Sequence, residues 1–104
     1  MSDTRLDQII NQWAQRHRAM IVAIYKEDTS RCIDFADENS HRYQIWVDPP
    51  MTDIVNSNEE IGVHVWDYKR RRRDFVCRIG DLAKRIDEAS AQIKRWMAED
   101  SRQS

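Results

Sequence analysis

Two short stretches, "YQIWV" at 43–47 and "IGVHVW" at 61–66, alternate with a period of two. Their odd positions, Tyr43, Ile45 and Val47, then Ile61, Val63 and Val65, are all apolar. A helix cannot use that pattern, because its faces repeat about every 3.6 residues, whereas successive side chains of a strand point to opposite sides. One face buried and one open is the signature of an antiparallel sheet covered on a single side. The alternation therefore predicts that the six odd residues lie beneath helices. Arg42, Gln44 and Trp46, with His64, Trp66 and Tyr68, then share the opposite face.

The rest of the chain supplies the cover and the remaining strands. Near the start, Leu6, Ile9, Ile10, Trp13 and His17 recur at helical spacing and predict a helix over 4–18, with Thr4 and Asp7 as a capping box. "MIVAIYK" is short and β-branched and reads as a buried strand. The turn clusters "EDTS" and "DENS" bracket a strand at "RCIDFA". "HRYQIWVD" ends at Pro49–Pro50, and "MTDIVNSNEE" is a loop with a short strand at Ile54–Val55. "DFVCRI" is the last strand.

A final helix follows Asp81, with Leu82, Ile86, Ala89, Ile93, Trp96 and Met97 on one face. Asp81–Arg85 and Lys84–Glu88 are four-apart opposite charges on it, and the tail is expected to be disordered from about residue 99. The order is α-β-β-β-β-β-α: a two-layer α+β domain over 1–104, with a five-stranded antiparallel meander flanked by N- and C-terminal helices. Trp13 and Trp96 are expected in its core.

Charge narrows the function. With 18 acids and 17 bases the formal net charge is −1, so no global field draws the chain to nucleic acid or an anionic membrane. Electrostatic function has to be local. The N-terminus lacks a cationic start followed by an apolar stretch, and the longest apolar run, Ala19–Tyr25, is too short to span a bilayer. A cytoplasmic protein without membrane attachment is the expectation. Cys32 and Cys77 form no CxxC motif and read as buried thiols, although their spacing leaves a disulfide open.

Two features invite a functional reading. The open face gathers Trp46, Trp66, His64, Tyr68, Gln44 and Arg42, where a solvated face would carry Thr, Lys and Glu; Trp and Tyr are the residues enriched at interface hot spots. It is a candidate partner-binding surface, and one through which a homodimer can form. Alternatively, a loop over 51–60 folds across it. The basic run Lys69, Arg70, Arg71, Arg72 and Arg73 is expected at an exposed hairpin tip, where it serves solubility, docks on an acidic protein patch, or pairs with phosphates.

"VDPP" and "DYK" resemble the metal site of the PD-(D/E)xK nucleases, which implies Asp48 and Asp67 on a Mg²⁺ ion and Lys69 beside the attacking water. The intervening crossover helix of that family is missing. His17, His41 and His64 lack metal-ligand spacing, and two glycines are too few for a phosphate loop. Asp34, Asp37 and Glu38 read as a solvated acidic patch by a turn.

A compact, charge-rich, glycine-poor chain of this kind is similar in class, though not in motif, to the immunity proteins that neutralise toxin domains in bacterial competition. That similarity implies a non-enzymatic protein that binds another protein, with no cofactor and no metal. A small nucleic-acid-binding or regulatory domain using 69–73 is the second reading, and a Mg-dependent nuclease the third.

Overall fold

The structure, a computed structural model, describes residues 5–49 and 60–103. Its elements run α1 (Arg5–Arg16), β1 (Ile21–Glu27), β2 (Ser30–Ala36), β3 (Arg42–Asp48), β4 (Ile61–Trp66), β5 (Arg72–Cys77) and α2 (Leu82–Gln103). Short 3₁₀ turns, Arg18–Met20 and Ile79–Asp81, lead into β1 and α2. The strands pair antiparallel in the order β1-β2-β3-β4-β5, a plain meander. The α+β architecture expected from the sequence is the one observed. The strand reading at Ile54–Val55, all of the 51–60 loop except Glu60, and the Thr4 cap lie outside the described residues.

Strand parity holds. Tyr43, Ile45, Val47, Ile61, Val63 and Val65 are all buried on the helical side, where they meet Leu82, Ile86, Ala89, Ile93, Trp96 and Met97 of α2. Fully burying one such aliphatic side chain stabilises by roughly 1.5–3 kcal/mol, so this strip dominates the core. Leu6, Ile10 and Trp13 bring α1 into the same cluster. Trp13 is wholly buried, stacks on His17 at 4.4 Å, meets Phe35 edge-on and donates its indole N–H to Asp87 of α2 at 2.5 Å. Asp7 turns towards the sheet and forms a forked, buried ion pair with Arg31 at 2.8 and 3.2 Å.

Four expectations need correction. The strand read as buried, β1, is the sheet's outer strand and is exposed from Val22 to Glu27. A meander puts its first strand at an edge, and a β-branched apolar run does not reveal edge from centre. The first helix stops at Arg16 rather than 18, giving way to the 3₁₀ turn. On α2 the two four-apart pairs give way to Arg85–Glu88, three apart at 2.6 Å. The tail expected to be disordered continues α2 to Gln103, because Asp100 in it bonds Tyr43 and Arg71.

The cysteines fall on opposite faces. Cys32 pairs across the sheet with Trp46, whereas Cys77 pairs with Ile61 on the helical side, and both are free and buried. The sheet itself stands between the two thiols.

Candidate functional site

Cross-strand pairing assembles the open face. Cys32, Trp46, His64 and Asp74 form one row, and Asp34, Gln44, Trp66 and Arg72 form the next. Strand parity puts Arg42, Gln44, Trp46, His64, Trp66 and Tyr68 on this side, and the register makes them neighbours. They are not a bare aromatic patch, however. Gln44 is only 2% exposed and sits at the centre of a saturated network. Its amide donates to the Tyr25 hydroxyl and to Asp34, each at 2.8 Å. Its carbonyl oxygen accepts from the indole N–H of Trp66 at 2.9 Å and from that of Trp46. All four hydrogen-bonding positions of the amide are used.

Asp34, expected to be solvated, is buried beneath this network. It accepts from Tyr68 at 2.9 Å and faces Arg42 at 3.6 Å. Tyr68 itself is 40% exposed and adopts φ of 65°, where the chain turns out of β4. Its ring leans against Trp66 with centroids 4.8 Å apart.

Beside the indoles opens a pocket of about 300 Å³, lined by Trp46, Asp48, His64, Trp66 and Arg72. His64 stands between two carboxylates, with Nε2 3.1 Å from Asp48 and Nδ1 2.6 Å from Asp74. Gly62, two residues before it on the same face, makes the room. A Cβ there would stand 2.9 Å from His64 Nε2. Arg72 donates to Asp74 at 2.8 Å, and this bond with that of His64 holds the Asp74 carboxyl below its ordinary range.

Asp48, which the sequence offered only as a metal ligand, lines this pocket, and Asp74, which sequence reasoning missed, holds His64 from the other side. Parity places both on the open face, but only the β3–β4–β5 register brings them to either side of one imidazole.

The chemistry of the face is quiet. Burial, then the Asp34 carboxylate, pushes the Tyr25 and Tyr68 phenols upward, and burial pushes the Cys32 thiol up to about 11. These groups stay protonated near neutral pH, so none is an activated nucleophile. Among the described residues no cluster of three or more His, Cys, Asp or Glu side chains could hold a metal ion.

The basic run is divided. Arg71 crosses to α2, bonding Asp67 at 2.7 Å, Glu99 at 3.1 Å and Asp100 at 2.7 and 2.9 Å, with its guanidinium 5.2 Å from the Trp96 ring centroid. Arg72 and Arg73 belong to β5, the latter bonded to Gln92 and resting on Phe75. Only Lys69 and Arg70 remain with no side-chain hydrogen bond or ion pair among the described residues. The expectation of five cations at an exposed tip is thus corrected: attraction to Asp67 and the end of α2 draws Arg71 inward, and β5 begins before the run ends.

The nuclease constellation does not assemble. Asp48 lies on the open face opposite Gly62, while Asp67 lies beyond the other end of β4 and bonds Arg71 on the helical side. Asp67 is five positions beyond Gly62, roughly 16 Å along an extended chain. Asp67 serves the turn, accepting from the backbone N–H groups of Lys69, Arg70 and Arg71.

Among the described residues, no helix is long and apolar enough to cross a membrane. Compared with family models, curated proteins and solved structures, the chain matches none of them.

Proposed function

We propose that this chain is a non-catalytic binding protein, of the inhibitor or immunity type, that engages another protein through the open face of its sheet. The observation that carries the reading is the pair of half-buried indoles, Trp46 and Trp66, tied to one buried acceptor and lining a pocket. An aromatic anchor whose rotamer is already held loses little entropy on binding, which is how a few such residues come to dominate an interface. His64, Asp48, Asp74 and Arg72 surround them with both charge signs, a rim suited to selecting a partner.

The test uses the protein encoded beside this one as partner and isothermal calorimetry as readout. Trp66→Ala is expected to weaken binding by about 2 kcal/mol, roughly thirtyfold, with the thermal melt little changed. Undiminished affinity in the mutant, or no binding by the parent chain, would remove the support for this reading. A low-salt mobility-shift assay on DNA and RNA separates it from the nucleic-acid reading, which now rests on Lys69 and Arg70. Tight binding that falls steeply with salt would favour that alternative.

A further inference from the structure

Among the described residues β1 is hydrogen-bonded along one edge only, to β2. Its side chains remain open to solvent, with Val22 56%, Ile24 38% and Tyr25 38% exposed. An outer strand of this kind is a template for another strand, and proteins usually blunt it with charge, proline or a bulge along its length. The opposite edge follows that rule, since β5 carries Arg72, Arg73 and Asp74. β1 carries charge only at its end, at Lys26 and Glu27; Ile21–Tyr25 contains neither charge nor proline, and its one bulge lies at the start, between Ile21 and Ala23. Between β1 and α1 runs an open groove of about 580 Å³, lined by Asn11, Gln15, Arg18, Val22 and Ile24 among others.

We propose that β1 pairs antiparallel with β1 of a second copy of this chain, joining two five-stranded sheets into one.

Charge identifies the occupant. Arg18 precedes the strand and lines the groove, whereas Glu27 and Asp28 end it. All three are exposed, and none has an ion pair among the described residues. Antiparallel pairing brings each Arg18 to the acidic end of the other copy, and a two-fold axis makes that contact twice. Centred on Ile24, it sets Ile24 against its own counterpart, Ala23 against Tyr25 and Val22 against Lys26, so no like charges face each other. Parallel addition would instead put Arg18 beside Arg18 and Glu27 beside Glu27. With the axis perpendicular to the sheet, both helical layers share one side and both Trp46–Trp66 pockets stay open on the other. The dimer therefore stands independently of the proposed binding role.

Sedimentation of the full chain across a wide concentration range decides the matter. A reversible dimer is expected that weakens tenfold or more in Ile24→Lys and in Arg18→Glu, with unchanged melting temperatures. Val22→Lys serves if Ile24→Lys unfolds. Adding Glu27→Arg to Arg18→Glu should restore dimerisation, a rescue that loss of folding cannot imitate. A chain that stays monomeric at every concentration overturns the proposal. So does a dimer indifferent to all these changes but abolished by Trp66→Ala, since it would be formed by the open face instead.

Discussion

The hydroxyl of Tyr43 donates to Asp100 at 2.5 Å and so ties the middle of the sheet to the last turns of α2. The ring is buried at 1% exposure, and Asp100 also receives the Arg71 guanidinium. Tyr43→Phe keeps the packing and removes only the donor. It should lower stability by about 2 kcal/mol, the range for a hydrogen bond to a charged group, in a urea melt. A loss under about 0.5 kcal/mol would mean that Arg71 alone holds the helix end.

Arg71 and Arg70 are neighbours in sequence with opposite expected behaviour. Arg71→Met leaves Asp67, whose side chain is 4% exposed, with its backbone donors but no cation. A loss of about 2–3 kcal/mol is expected, below the usual figure for a broken buried pair because Arg71 is itself a quarter exposed. Arg70→Ala should stay within about 0.5 kcal/mol of the parent. Equal effects at the two positions would contradict the division of the basic run.

The same latch sets an acid limit. At Asp67 and Asp100 burial opposes the charged form. At Asp67 the Arg71 guanidinium and backbone N–H groups outweigh it, and at Asp100 Tyr43 and Arg71 do, leaving both carboxyls below the ordinary 3.8. A carboxyl lowered by folding stabilises fully above its unfolded value, and that stabilisation is lost as pH falls through its folded value. Urea midpoints should therefore hold near neutrality and decline from about pH 5 downward. Arg71→Met should flatten that decline, and parallel pH profiles for mutant and parent would argue against the latch.

The two thiols should remain unpaired and unreactive in the folded protein. Cys32 and Cys77 lie on opposite faces, and burial raises both thiols, Cys32 to about 11. A thiol reagent near pH 8 should titrate neither until denaturant is added, and both afterwards. A disulfide found in the monomer under oxidising conditions would require a different strand register.

How much of this was legible beforehand depended on whether the signal was local. Periodicity along the chain by itself determined both helices, the succession of strands between them, the six core residues of β3 and β4, and the side on which Trp46 and Trp66 stand. Those are consequences of where successive side chains point, and a single strand or helix carries them. Only the tertiary structure decided that Gln44 collects both indoles, that Asp48 and Asp74 flank His64, that Arg71 crosses to α2, and that β1 stands at an open edge. Each of those depends on which strand lies beside which and in what register, and a shift of one residue would move every side chain to the other face. Register is set jointly by turns, core packing and ion pairs between residues far apart in sequence, so no single stretch of the chain contains it.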